Sequence, residues 1–282
     1  MKIIVTGANS FLGAALCMDF INKGYEVFAL INKNTDRIKS LISKDNFEYT
    51  DSIDDLKNVK DAFCIYHFAW FGTNRSERDD KALQEKNIKM SKKIFDIALE
   101  NNIDRFIFAG SQAENGLRSE YGKAKAEFAK YAKDFLKNNT CNMEFFHLQI
   151  FSVYGIGDHK GTLIDQVLSA VKENSEIELS DATQKWNFIC IDDAVSLLEV
   201  FIDDEKLKSI QKKDAYHIGS DDTRPLKEYI LDMAGINKNY DKKKLLFGKR
   251  KSNVEGSYDL IPDISWIGGF KFRKFLDEIK RL

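Results

Sequence analysis

The chain has 282 residues, and its 43 Lys and Arg against 44 Asp and Glu leave a net charge of -1. That length sustains a full core without staples, and the balanced charge excludes a whole-chain field that would draw in nucleic acid or an anionic membrane. No apolar run approaches the ~18 residues of a membrane span, and the opening MKIIVTG runs straight into a strand, so no leader and a cytoplasmic location are expected. Lys2 to Val5 reads as a strand, Thr6 to Ser10 as a turn, and Phe11 to Asn22 as a helix ending before Gly24. A strand over Tyr25 to Ile31 and a short helix over Arg37 to Ser43 follow. Strands come next at Phe47 to Tyr49 and Ala62 to Phe68, then a long helix over Lys81 to Asn101. Arg105 to Ala109, Tyr121 to Asn138 and Met143 to Phe151 read as strand, helix and strand. This alternation predicts an α/β fold, a doubly wound parallel sheet of Rossmann type, over residues 1–160.

Residues 161–282 read as a mixed segment that completes the sheet and forms a small C-terminal α/β substrate-binding cap. Its elements are a helix at Leu163 to Lys172, strands near Ile177 to Leu179 and Asn187 to Ile191, and a helix at Asp192 to Ile202. The sheet extends through His217, and Lys227 to Leu282 carries two helical patterns around a lysine-rich stretch, Asn237 to Lys251. Cys17, Cys64, Cys141 and Cys190 are scattered without a Cys-x-x-Cys pair, so they read as buried free thiols. No metal site is expected, because His159 and His217 lack ligand spacing and His67 and His147 lie inside apolar strands.

Thr6-Gly7-Ala8-Asn9-Ser10-Phe11-Leu12-Gly13 joins the first strand to the first helix, where free amides and the dipole favour a pyrophosphate. Gly7 allows the sharp turn and Gly13 the close helix packing. Ser10 stands where a second glycine usually lets the backbone approach phosphate, and its hydroxyl can itself donate. After the second strand, Asn32 and Lys33 replace the acidic residue that would hold ribose hydroxyls, and Arg37 is close in sequence, so a 2′-phosphate meets attraction and NADPH is favoured over NADH.

Tyr121 and Lys125 stand four residues apart on one helical face, so an ammonium can act on a phenol whose free pKa is ~10. Ser111 follows the Arg105 strand, at the sheet edge where ligands bind, and its hydroxyl can meet a carbonyl oxygen. With TGANSFLG at 6–13, HFAW at 67–70, Asn87, FAGSQAENG at 108–116, YGKAK at 121–125, FSVYGIGD at 151–158 and WNFICIDDA at 186–194, the chain resembles the extended short-chain dehydrogenase/reductases, in the epimerase/dehydratase branch acting on nucleotide-diphosphate sugars. The resemblance implies that Tyr121 is the acid-base residue, Lys125 binds nicotinamide ribose and Ser111 orients the reacting oxygen. It further implies that Phe68, Ala69, Trp70, Phe151 and Val153 line the cofactor and that Asn87 is structural.

Two departures bear on the reaction. Dehydratases of the branch place an Asp-Glu pair after the catalytic hydroxyl, where this chain has Gln112 and Ala113, which disfavours 4,6-dehydration. Related enzymes carry an arginine where this chain has Gln184-Lys185-Trp186-Asn187, so the diphosphate is met otherwise, with Lys185, Arg250 and Lys251 as candidates on charge. Phe71, Thr73 and Arg75 combine aromatic surface with a cation, and with Gln112, Gln184, Trp186 and Arg250 form the substrate-contact set. The leading reading is an NADPH-dependent reductase of a 4-keto nucleotide sugar. A nucleotide-sugar epimerase using the same Ser111, Tyr121 and Lys125 is the alternative, and a non-enzymatic dinucleotide sensor the second. The helices Lys81 to Asn101 and Tyr121 to Asn138 could form a homodimer.

Overall fold

The computed structural model describes residues 1–74, 76–250 and 260–282. Its elements run β1 (Lys2–Thr6), α1 (Phe11–Asn22), β2 (Glu26–Leu30), β3 (Phe47–Thr50), β4 (Ala62–His67), α2 (Lys81–Glu100), β5 (Arg105–Ser111), α3 (Glu120–Asn138) and β6 (Glu144–Ile150). Then follow β7 (Ser152–Tyr154), α4 (Leu163–Glu173), β8 (Ile177–Glu178), β9 (Lys185–Cys190), α5 (Ile191–Leu198), α6 (Asp204–Ser209), β10 (Tyr216–Ile218), β11 (Thr223–Pro225), α7 (Leu226–Gly235), β12 (Leu245–Leu246) and α8 (Phe275–Ile279).

Strands pair in the order β10-β6-β5-β4-β1-β2-β3, and every pair from β6 to β3 is parallel. This is the expected Rossmann-type α/β sheet. Helical crossovers cover parallel strands, so their sequences carry apolar residues nearly throughout, and all seven residues of β5 are buried. The order reverses between β1 and β4. There Thr6 lies level with Leu30 of β2 and His67 of β4, so three loops leave the sheet together at its carboxyl edge. Phe95, Phe106, Phe108 and Phe128 fill the core behind that edge and are fully buried.

The chain divides into two compact units, Met1–Ile150 with Val195–His217, and Phe151–Ala194 with Ile218–Leu282. The backbone thus passes between units at three places, where the sequence reading drew one division after residue 160. Within the second unit, β11, β9 and β7 form one small sheet and β12 and β8 another.

Several expected elements differ. The helix over Arg37 to Ser43 is instead a chain of three-residue turns, Ile38 N–H to Thr35 O, Leu41 N–H to Ile38 O and Lys44 N–H to Leu41 O. Ile38 and Leu41, the apolar pair that mimicked a helical face, are both fully buried at that three-residue spacing. The strand expected over Met143 to Phe151 is β6, Glu144–Ile150, and the chain then enters another sheet at β7. The helix expected over Asp192 to Ile202 is α only to Leu198 and tightens to a 3₁₀ turn over Glu199–Ile202. Cys17, Cys64 and Cys190 are buried, but Cys141 is exposed, because it sits in the polar connection between α3 and β6. No helix among the described residues is long and apolar enough to cross a membrane.

Candidate active site

The first loop is set by backbone geometry. Gly7 has φ +69°, and a Cβ there would stand 2.7 Å from Ala69 N and 2.9 Å from Phe68 C, so only glycine lets the β1 and β4 loops touch. Gly7 N–H donates to Leu30 O at 2.8 Å. Ser10 caps α1, its Oγ accepting Gly13 N–H at 3.1 Å, and Gly13 has no room for a Cβ beside Gly7 O. Phe11 and Leu12 therefore open the helix with amides that no protein acceptor among the described residues takes up, the feature an anionic phosphate needs. Asn9 Oδ1 accepts Arg37 N–H at 2.9 Å, and the Arg37 guanidinium lies over the Phe11 ring at 5.6 Å. Asn32 and Lys33 are exposed, Lys33 with φ +51°.

A groove of about 380 Å³ runs along this edge, lined by Gly7, Asn9, Ser10, Asn32, Phe68, Ala69, Trp70 and Phe71 among the residues the sequence reading named. Asp51, Ile53 and Met90 also line it and were not foreseen. The position of Asp51 just past a parallel strand was the available signal. Thr6 is fully buried instead, its Oγ1 2.7 Å from His67 Nδ1 and accepting Ala69 N–H at 3.2 Å. His67 Nε2 lies 2.8 Å from Ser91 Oγ, so both ring nitrogens are engaged, and burial, with the Lys125 charge second, pushes its pKa down to about 3. It is a neutral core histidine.

The loop after β4 is held by side chains. Asn87, fully buried, donates to Phe71 O at 2.8 Å and accepts Phe71 N–H at 2.9 Å, and Trp70 Nε1 donates to Gln84 Oε1 at 2.8 Å. Farther along, Arg78 Nε donates to Thr73 O at 3.0 Å, and Arg78 O accepts the N–H of Tyr121 at 2.8 Å. Tyr121 is thereby gripped near the start of α3, with Trp70 edge-on at 6.3 Å and the Arg78 guanidinium over its ring at 5.0 Å. Arg78 is the residue the sequence reading missed. It lies on an irregular loop, 43 positions before its target in sequence, and no short motif contains it.

Ser111, Tyr121 and Lys125 come together in the first unit, all buried. The Ser111 hydroxyl is near enough to the Tyr121 phenol to favour its charged form, and its Oγ accepts Ala113 N–H at 3.1 Å. Lys125 donates to Ala109 O and sits 4.3 Å from the Trp70 ring and 5.0 Å from Phe108. Burial pushes the Tyr121 phenol up, opposed by Arg78 and by the Ser111 hydroxyl. Burial likewise pushes Lys125 down to about 7, with Glu114 pulling the other way. Gln112 is half-buried in the turn after Ser111.

Residues 3–219 match the sequence profile of the NAD dependent epimerase/dehydratase family. The chain belongs to that family. It is accordingly an enzyme of a nucleotide-sugar-modifying group that works with a nicotinamide dinucleotide. Among curated relatives, CDP-abequose synthase of Salmonella muenchen is 28% identical over 203 residues, 69% of this chain and 68% of that protein. UDP-glucuronic acid 4-epimerase from Bacillus cereus, in complex with UDP-glucuronic acid and NAD, superposes with a TM-score of 0.83 at 20% identity, covering 99% of this chain and 97% of the other. dTDP-glucose 4,6-dehydratase from Bacillus anthracis in complex with NAD gives 0.80 at 14% identity, covering 99% and 96%. At these identities the two structures establish the fold alone.

The remaining expected residues lie in the second unit. Phe151 is buried and donates its N–H to Ile218 O at 3.0 Å, and Val153 pairs with Ile189. Gln184 O accepts Leu226 N–H at 2.9 Å, Trp186 stands 6.4 Å from Phe188, and Arg250, exposed, donates its N–H to Leu179 O at 3.1 Å. A cleft of about 760 Å³ in this unit, between the loop after β7, α4 and the chain end, is lined by none of the expected site residues. Cys190, Asp192 and Glu278 bring ligand atoms within 4.8 Å of one another, but Arg273 and Arg281 already face the two carboxylates at 3.7 and 2.7 Å. Arg75 and Lys251 lie outside the described residues.

Proposed function

We propose that the protein reduces a 4-keto nucleotide-diphosphate sugar, with Tyr121 as proton donor. One observation carries this reading: Ser111, Tyr121 and Lys125 come together, all buried, and the two residues that follow Ser111 bear no carboxylate. Gln112 and Ala113 occupy the positions of the dehydratase acids, and the carboxylate of Glu114, the acid of that turn, is turned into the protein onto the Ser111 amide. A relative named as a CDP-abequose synthase is in keeping with a nucleotide-diphosphate sugar.

The groove, the open α1 amides and Gly7 fit a dinucleotide, with Phe11 and Leu12 N–H for the pyrophosphate and Lys125 for the nicotinamide ribose. When bound, the reduced nicotinamide supplies the hydride. Ser111 orients the substrate carbonyl oxygen, and Tyr121 Oη gives it a proton. Asn32 and Asn34 at the groove, without a carboxylate at the end of β2, and the nearby Arg37 favour NADPH. Phe71, Thr73 and Gln112 are assigned to the sugar side, and Gln184, Trp186 and Arg250 to nucleotide contacts. Four free thiols, three of them buried, accord with the cytoplasm. A homodimer through α2 and α3 completes the reading.

The test is oxidation of NADPH on addition of a panel of 4-keto-6-deoxy sugar nucleotides linked to CDP, UDP and dTDP. Net oxidation by one of them supports the reductase. Sugar interconversion without net oxidation supports the epimerase, which shares all three residues. Tyr121→Phe should cut turnover by about 10²–10⁴-fold while cofactor binding is kept.

A further inference from the structure

The side chain of Arg78 touches Tyr121 and has no part in the reaction above. Backbone fixes its place. Residues 78 and 79 cap α3, the helix that carries Tyr121 and Lys125: Arg78 O accepts the Tyr121 N–H at 2.8 Å and Asp79 Oδ1 the Glu120 N–H at 3.1 Å, while Ser119 Oγ takes the Gly122 N–H at 3.1 Å. Arg78 Nε donates to Thr73 O at 3.0 Å, and the guanidinium lies over the Tyr121 ring, 5.0 Å from its centroid. Glu77, Asp79 and Asp80 adjoin it in sequence, yet Arg78 pairs with no carboxylate among the described residues. Asp79 Oδ1 serves α3, and Asp80 Oδ1 caps α2 at the Leu83 N–H. An exposed arginine is thus held, its charge uncompensated, against a buried phenol.

We propose that Arg78 is a positioning residue for proton transfer, a fixed cation that holds the Tyr121 ring more tightly once its hydroxyl has released the proton. The inference rests on Tyr121 being the proton donor. In that step the Tyr121 O–H bond breaks, the proton joins the oxygen of the carbonyl that takes the hydride, and the electron pair stays behind as phenolate, at a residue only 7% exposed. A phenolate cut off from water needs a nearby cation, and a cation over a ring face gains as the ring becomes negative. Two cations face this ring: Arg78 and, one turn along α3, Lys125, whose Nζ lies 5.5 Å from the centroid. Glu114, in the turn after Ser111, acts against them. The two cations are not equivalent. Burial brings Lys125 down to about 7, so its charge is lost as pH rises through neutrality, whereas a guanidinium keeps its charge across the range in which proteins function. Above that point Arg78 is the cation left at the ring among the described residues. Helix capping does not account for the side chain, because the cap is made by the Arg78 carbonyl, which any residue supplies.

The test reads the phenol directly and needs no substrate. Ultraviolet absorbance of phenolate is followed upward from about pH 8, with circular dichroism checking the fold at each pH, and the difference between wild type and Tyr121→Phe isolates one of ten tyrosines. Burial sets the Tyr121 step above the ~10 of a free phenol, where Lys125 is already neutral. Arg78→Met keeps the backbone cap and should move that step up by about half a pH unit or more. Arg78→Lys should recover part of the shift, and Lys125→Met should leave the step nearly in place. In turnover, Arg78→Met should lower kcat a few-fold with KM unchanged. An unmoved step in Arg78→Met overturns the inference and leaves Tyr121 as the donor. A raised KM with kcat kept makes Arg78 a substrate contact and overturns it as well. Reduction by Tyr121→Phe at the wild-type rate overturns the reading on which it rests.

Discussion

The two loops that meet at the strand-order reversal are held by different means. The loop between β1 and α1 is short, and its shape follows from Gly7, Gly13 and the Ser10 cap, all within seven residues. The loop after β4 is long, and its shape follows from Asn87, Gln84 and Thr6, which reach it from elsewhere in the chain. The first binds by offering backbone amides, so its chemistry is carried by the absence of side chains. The second places rings and a cation around Tyr121, so its chemistry depends on distant side chains keeping it still. A motif search sees the first kind and is blind to the second.

Four changes test this contrast. Gly7→Val sets a branched side chain at φ +69° and against Ala69 N, and should cost about 3 kcal/mol or more and abolish NADH binding, read by melting and by fluorescence titration. Retained binding would show that the backbone of this loop does not set the site. Asn87→Leu should come next, at about 1–2 kcal/mol, because it strips both partners from the part-buried Phe71 N–H and C=O, and hydrogen exchange should speed up over the β4 loop while the β1 loop stays protected. Equal loosening of both loops would erase the distinction.

A third effect is read against pH. His67 titrates at about 3 when folded and near its ordinary 6.5 when unfolded, so the unfolded chain binds the extra proton between those values. Stability from this group is present above that window and is lost as pH falls through it. The melting temperature should therefore drop on acidification from about 6.5, and less steeply in His67→Gln. Smallest is Arg78→Met: the guanidinium–ring contact is partly solvated, so about 0.5–1 kcal/mol of stability and a few-fold in turnover are expected, with Arg78→Lys between the two. A loss as large as that of Tyr121→Phe would make Arg78 part of the chemistry itself.

The outward faces of α2 and α3 carry both charge signs, among them Lys86, Lys89, Asp96, Lys123, Glu127 and Lys130. A dimer through them should be weak and dissociate as salt is raised, which sedimentation velocity at two ionic strengths would show.

Most of the sheet was legible because hydrophobic period is a local property. Strands of a parallel sheet covered on both faces are apolar almost throughout, and β1, β4 and β5 were read within two residues of their ends at most. The failures share a cause. Arg37 to Ser43 has the apolar spacing of a single turn, which several backbone conformations satisfy equally, and over Asp192 to Ile202 the apolar pattern runs on where the α-helix tightens to a 3₁₀ turn.

Sequence by itself determined the order of strands and helices, the glycine turn at the first helix and the grouping of Ser111, Tyr121 and Lys125, because each depends on neighbours within one element or on its place along a regular alternation. Tertiary structure alone decided that Arg78 and Trp70 flank Tyr121, that Asp51 reaches the groove, that Thr6 turns inward to His67, and that Glu114 meets His147 behind Ser111. Those contacts join residues tens of positions apart, which no local pattern records, and at His67 the loss of water on burial is what keeps the ring neutral.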